Sequence, residues 1–378
     1  MDAVVSLDGA TAGHGAKAAG LGELRRAGLP VPDGFVVPAS LDQVDLRAAV
    51  DGALDALGPH APVAVRSSAT DEDVPGASAA GQYETVLGVA GAQDVVAAVL
   101  ACRASAAGPR VTAYRAATSG ARAAEVAVIV QRLVPARAAG VLFTGDGRTV
   151  VEASWGLGES VVQGAVDPDR WTVADSRVVE RTTGSKRTRV DRSPGGTTTR
   201  DVPAAARDRP CLDDQTVLRL AALGARVADL RGGPQDVEWA VDDAGTIWLL
   251  QARPVTAALP DTPAERCERG VLRGTGASGG RASGPARVVR GPGDFGAVRP
   301  GDVLVCRETD PAWTPLFGVV AAVVTETGGL LSHAAIVARE LRLPAVLGVA
   351  GATDTLRGSV TVDGDAGTVR RHPRDPTP

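Results

Sequence analysis

Residues 325–346 read TETGGLLSHAAIVARELRLPAV and hold one of only four histidines in the 378-residue chain. From Ser332, the residues Ala334, Val337 and Leu341 recur at spacings of three and four. That pattern predicts a helix with Ser332 as its N-cap and Pro344 beyond its end. His333 would sit in the first turn, where free backbone N–H groups can hold a phosphate on the imidazole. A neutral imidazole is a nucleophile able to form a covalent intermediate. Gly328 and Gly329 would allow a tight turn and the approach of a bulky anion. The plainer alternative is a histidine that caps or packs at a helix start.

A second group lies in GGPQDVEWAVDDAGTIWLLQARPVT, residues 232–256. Alternation along IWLLQAR places Gln251 and Arg253 on one face. A turn at DDAG lets Glu238, on the strand-like VEWAV, face them from a paired strand. Carboxylate and amide oxygens are hard ligands that suit Mg²⁺ beside phosphates. An arginine there counters charge developing on a transferred phosphoryl group. Asp236 is a weaker candidate, with setting the turn as its alternative role. Lys17 and Lys186 stand out because they are the only lysines among 40 basic residues. Lysine places a compact charge where arginine places a planar fork.

These residues need rigid carriers. Strands are predicted at 30–38, 62–67, 124–134, 139–144, 148–155 and 245–255, and helices at 15–27, 43–57, 91–105 and 213–230. The mixture favours an α+β or mixed α/β fold. A boundary is expected near 257–270, where TAALPDTPAERCERG is rich in proline, alanine and charge. Short strands at 301–306, 321–326, 345–349 and 359–364 then form a second, compact domain. Residues 184–203 read as an exposed loop or hairpin, and RRHPRDPTP as a frayed tail.

A hydrophobic content of 44% marks a folded globular chain, and a formal charge of −4 gives no general reason to expect nucleic-acid binding. Aromatic residues are only 3%, too few for a broad stacking surface. No uninterrupted apolar run is long enough to span a membrane, and the first residues lack the pattern of a secretory leader. Cys102, Cys211, Cys267 and Cys306 have no zinc spacing. A cytoplasmic enzyme is the expectation.

The segment TETGGLLSHAAIVARELRLPAVLGV resembles the phosphohistidine, or swivelling, domain of the PEP synthase and pyruvate phosphate dikinase family. TDPAWTPLF (309–317), GASGGRASGPARVV and GSVTVDGDAGTV extend the resemblance. It implies that His333 is phosphorylated during turnover. PEP-forming members often carry Cys or Thr just before this histidine, where Ser332 stands; that departure is compatible with relatives that phosphorylate other small molecules.

GAKAAGLGELRRAGLPVPDGFVV (15–37) and VRSSATDEDVPGASAAGQYETVLGV (65–89) resemble the family's nucleotide domain, which is of the ATP-grasp type. Lys17 and Arg66 would then hold phosphate oxygens, with hydroxyls from Ser67, Ser68 and Thr70 and a lid-like loop containing Gly76, Gly81 and Gln82. An ordinary polar turn is the alternative for SSATDEDVPG. VIVQRLVPARAAGVLFT (128–144) resembles the adenine-holding segment, with Gln131 and Leu133 as backbone candidates. VEASWGLGESVVQGAVDPDRW (151–171) resembles an acidic, glycine-rich block. Its Glu152 and Glu159 would contact ligands or order basic residues; Glu159 could equally start a helix. The resemblance assigns the metal to Glu238 and Gln251 and the terminal phosphates to Arg253. Lys186, in TTGSKR, is at most a phosphate contact.

The implied organisation is an ATP-grasp domain at 1–256, a linker at 257–269 and a swivelling domain at 270–372. The implied activity uses ATP and Mg²⁺, passes through phosphohistidine and releases AMP. No stretch reads as the TIM barrel that binds pyruvate in PEP synthases. Three acceptor arrangements therefore stay open: a small molecule other than pyruvate bound between the domains, a separate acceptor-domain protein, or a condensation between two substrates.

Overall fold

The computed structural model describes residues 4–70, 85–105, 126–145, 147–255, 257–259 and 271–372. Among them the chain forms three main sheets with helices, a mixed α/β architecture. Most of the predicted linker, together with Gly76, Gly81, Gln82 and the last six residues, lies outside the described residues.

The first sheet has the order β1-β2-β5-β3-β4. Its strands are β1 (Val5–Ser6), β2 (Gly34–Val37), β3 (Val63–Ala69), β4 (Thr85–Val89) and β5 (Val126–Arg132). The helices Gln43–Leu57 and Ala92–Ser105 cover one face. The first begins at Asp42, whose carboxylate accepts from the N–H groups of Val44 and Asp45. Its Leu46, Val50, Leu54 and Leu57 make the inward stripe.

The second sheet has the order β13-β12-β6-β7-β8-β9. Its strands are β6 (Ala136–Gly145), β7 (Arg148–Trp155), β8 (Asp169–Ala174), β9 (Arg177–Thr182), β12 (Gln235–Asp242) and β13 (Ile247–Pro254). The helices Ala16–Arg26 and Asp214–Arg231 pack with it around a core containing buried Trp171 and Trp239. Residues 184–203 contain the predicted hairpin, as β10 (Thr188–Ser193) and β11 (Gly196–Asp201).

The third sheet runs β14-β21-β20-β16-β17-β18-β19-β15. It comprises β14 (Val271–Arg273), β15 (Thr275–Ser278), β16 (Arg281–Val288), β17 (Val303–Cys306), β18 (Ala322–Thr325), β19 (Ala345–Leu347), β20 (Ser359–Asp363) and β21 (Thr368–Arg371). Strands β16 to β19 are parallel, and the helix His333–Glu340 crosses between β18 and β19. The glycine-rich 274–290 carries no strand signal in the sequence, yet β15 and β16 lie there. Glycine usually weakens strands, but a Cβ at Gly284 would come within 2.1 Å of the Gly301 carbonyl oxygen. Here glycine is required by close backbone approach.

The second and third sheets share a core. Val141 and Phe143 of β6, with Val161 and Val166, pack in one cluster with Leu330, Leu331, Ala334 and Val337 around the histidine helix.

Candidate active site

Adjacent parallel strands place the histidine and its partners together. Thr309 follows β17 and His333 follows β18, so both emerge from the carboxyl edge of the third sheet. His333 is the first residue of its helix, with Ser332 in the N-cap position as predicted. The Ser332 hydroxyl, however, donates to the Gly329 carbonyl at 2.9 Å and makes no cap bond. Thr309 Oγ1 lies 3.1 Å from His333 Nδ1, and Thr314 Oγ1 lies 3.4 Å from Nε2. Phe317 meets the ring edge-on.

Antiparallel pairing of β12 and β13 builds the second part. Glu238 is directly opposite Gln251, and Asp236 is directly opposite Arg253. Residues two apart on each strand share a face, so all four side chains emerge on the same side. Arg66 reaches across from β3. Its Nη2 donates to Glu238 Oε2 at 3.0 Å and to Gln251 Oε1 at 2.5 Å, while Nη1 donates to the Leu250 carbonyl at 3.0 Å. Two side-chain oxygens thus converge on one cationic nitrogen. Asp236 does more than set a turn: its carboxylate accepts from Arg253 Nε at 2.7 Å.

Of the predicted site residues, Lys17, Arg66, Gln131, Leu133, Glu238, Gln251, Arg253 and His333 line one cavity of about 400 Å³. They come from segments as far apart as residues 17 and 333. Apolar surface comes from Leu133, Val134, Ala139, Leu157 and Trp239, and Ile336 contributes from the histidine helix. The lining thus combines apolar side chains with charged ones. The adenine candidates have partly committed donors. The Leu133 N–H bonds to the Pro62 carbonyl at 2.9 Å, and the Gln131 side chain donates to Pro32 at 3.4 Å. Glu159 both starts a short helix and lines the cavity, where burial raises its pKa.

Some polar candidates are occupied by the fold. Ser68 Oγ accepts from the Ala18 N–H at 3.1 Å and fixes the start of the helix carrying Lys17. Lys186 is wholly buried and bonded to Asp169 at 2.5 Å and to the Gly184 carbonyl at 2.8 Å. Asp169 also accepts from the N–H groups of Gly184 and Cys211. A buried ammonium needs its carboxylate, so this ion pair engages Lys186, for which the sequence implied at most a phosphate contact.

Sequence reasoning noted TDPAWTPLF as a motif but gave Thr309, Asp310 and Thr314 no roles. Asp310 lines the cavity with His333. The missing signal is spatial, since nothing in the spacing shows that the loop after β17 meets the helix after β18.

Burial lowers the His333 pKa to about 4 from 6.5, with Asp310 opposing and Arg253 reinforcing the shift. The packed imidazole therefore binds protons less readily than a solvated one, and protonation opposes packing. Packing is complete above pH 6.5 and weakens as pH falls towards 4, by roughly 3 kcal/mol in all. NMR titration of the His333 ring should give a midpoint at least about one unit below the solvated value. A midpoint at or above the solvated value would show that His333 is not held buried in its neutral form.

Residues 39–269 match the family described as pyruvate phosphate dikinase, AMP/ATP-binding domain. Residues 298–367 match the family described as PEP-utilising enzyme, mobile domain. The chain is similar to a probable phosphoenolpyruvate synthase of Methanothermobacter thermautotrophicus, at 36% identity, covering 94% of this chain and 61% of the relative. The phosphoenolpyruvate synthase of Pyrococcus furiosus is 40% identical, covering 81% of this chain and 40% of the relative. That of Escherichia coli is 38% identical, covering 82% and 43%. The chain thus spans between 40% and 61% of the length of these relatives. No helix among the described residues is long and apolar enough to cross a membrane.

Proposed function

The chain belongs to the pyruvate phosphate dikinase AMP/ATP-binding family, and from that premise we propose that it is an ATP-dependent phosphotransferase that forms AMP and a phosphohistidine. In this reading an ATP-grasp half binds the nucleotide and a swivelling half, joined through residues 257–269, carries the phosphoryl group to a small-molecule acceptor. The supporting observation is the single cavity that brings His333 together with Lys17, Arg66, Glu238, Gln251 and Arg253.

In this reading Nδ1–H of His333 donates a hydrogen bond to Thr309 Oγ1, which leaves the ring's lone pair on Nε2. Burial keeps that imidazole neutral and nucleophilic. Nε2 attacks the β-phosphorus of ATP, the bond from that phosphorus to the α–β bridging oxygen breaks, and AMP leaves. Water then removes the outer phosphate as inorganic phosphate. Phosphohistidine remains, and its phosphorus passes to an acceptor oxygen. Lys17 and Arg253 supply positive charge where the phosphates sit. Apolar lining limits access of water to the reacting bond.

Glu238 and Gln251 fit Mg²⁺, because two hard oxygens converge on a position now met by the cationic Arg66 Nη2. Two protein oxygens plus phosphate oxygens are the usual ligand set for this ion. When bound, the ion neutralises phosphate charge. Arg66 Nη2 would then turn from these oxygens to a phosphate.

The product separates this reading from an ordinary kinase or ligase. Incubation with labelled ATP and Mg²⁺ should give AMP and no ADP. ADP as the sole product would remove the dikinase mechanism. The names of the relatives favour a second reading, in which phosphoenolpyruvate forms at an acceptor site on further chain or on a separate protein. The charged protein, freed of nucleotide, should be discharged by a metabolite; discharge only by an added protein would select the second reading.

A further inference from the structure

We propose that Glu152 is a positioning residue, a carboxylate latch that docks the His333 loop against the nucleotide-binding half. The inference rests on the phosphohistidine reading for its catalytic consequence, but its geometry stands apart from that reading.

Glu152 lies on β7 and is completely buried. A carboxylate leaves water only when its oxygens are well satisfied. Oε1 accepts from the Leu330 N–H at 2.9 Å and Oε2 accepts from the Leu331 N–H at 3.0 Å. Both donors lie in the loop that ends at His333. Among the described residues its further partner is on its own sheet, where Arg170 Nε donates to Oε1 at 2.9 Å. Two charge-assisted bonds therefore hold the loop at a fixed point on the nucleotide half.

The loop is shaped around this carboxylate. A Cβ at Gly329 would fall 2.2 Å from Glu152 Oε2 and 2.5 Å from Oε1. The anion that this glycine lets approach is thus the protein's own. Thr327 Oγ1 donates to the Gly164 carbonyl at 2.7 Å, beside the latch. A Cβ at Gly164 would lie 3.1 Å from Ser332 Cβ, so the two halves meet closely here. On the opposite side of the loop, Arg339 Nη1 donates to the Leu330 carbonyl at 2.7 Å. The Leu330 peptide is therefore fixed at its N–H by the nucleotide half and at its carbonyl by the histidine helix.

This arrangement gives a separable mechanical role. Glu152 lies outside the cavity lining, whereas His333 lies within it. It sets where His333 sits without contacting nucleotide. Release of the loop would break both latch bonds together and return the carboxylate to water beside Arg170. Two of the hydrogen bonds across this seam thus rest on one side chain.

The test uses Glu152→Gln and Gly329→Ala in the full chain. The amide variant keeps the shape of the side chain but turns one oxygen acceptor into a donor facing a donor. The alanine variant leaves Glu152 intact and pushes it from the loop. Both should speed hydrogen exchange at Leu330 and Leu331 by about tenfold or more, with strands β3 and β5 unchanged. Both should slow single-turnover labelling of His333 by ATP to a similar degree, with nucleotide affinity unchanged. Hydrolysis of phosphohistidine already formed should keep its parental rate. Parental exchange at the two amides in both variants would overturn the latch, as would acceleration spread through β3 and β5. Absence of label in the parent would instead overturn the phosphohistidine reading, while the exchange measurement still decides the latch.

Discussion

His333→Ala is expected to carry no acid-labile, base-stable phosphoryl label after incubation with labelled ATP and Mg²⁺, and still to bind ATP. The imidazole is the proposed nucleophile, so its loss should lower labelling by more than roughly 10³-fold. Nucleotide affinity should stay within about tenfold, because one neutral polar side chain contributes only on the order of 1 kcal/mol. The proposed charged contacts to phosphate, Lys17, Arg66 and Arg253, are left in place by the substitution. The hole left beside Thr309 and Phe317 is lined by groups that can take up water or close partly. Label persisting on the variant would show that another residue is the carrier. Loss of both label and ATP binding would place His333 in the nucleotide site itself, against the proposed division of labour.

Arg253→Ala should slow labelling by about 10²–10³-fold, the usual cost of removing a preorganised charge from a developing anion. It should also destabilise the fold, since Asp236 is 5% exposed and pairs with Arg253. Removing one partner of a buried ion pair costs roughly 3 kcal/mol. The two effects can be separated with Asp236→Asn/Arg253→Ala. The double variant removes the carboxylate's charge as well and should recover thermal stability, but it should label as slowly as the single variant. If it labels at the parental rate, Arg253 serves Asp236 and has no part in phosphate chemistry.

The strands that carry the site were legible because their signals are local. VAVIVQR has a nearly continuous run of apolar side chains, and IWLLQAR ends in polar residues. The structure places them in β5 and β13, with boundaries within a few residues of those predicted. The DDAG turn between VEWAV and IWLL brought Glu238 opposite Gln251 in the observed register. The histidine helix was also legible, since its apolar spacing and its serine start are encoded within ten residues. The glycine-rich start of the third sheet was not. Local propensity argues against a strand there, and only the approach of a distant backbone explains the glycines.

Residue type and spacing by themselves determined which groups could do chemistry: a nucleophilic imidazole at a helix start, two oxygen ligands on paired strands, and cations suited to phosphates. Tertiary structure decided how these groups are used. It set Arg66 between Glu238 and Gln251, gave Asp236 to Arg253, and buried Lys186 against Asp169. It also brought Glu152 of β7 to the amides of Leu330 and Leu331, nearly 180 residues further along. The physical reason is range. Periodicity and capping depend on neighbours within a few residues, whereas the partner of a buried charge depends on which strands become adjacent when separate sheets pack together.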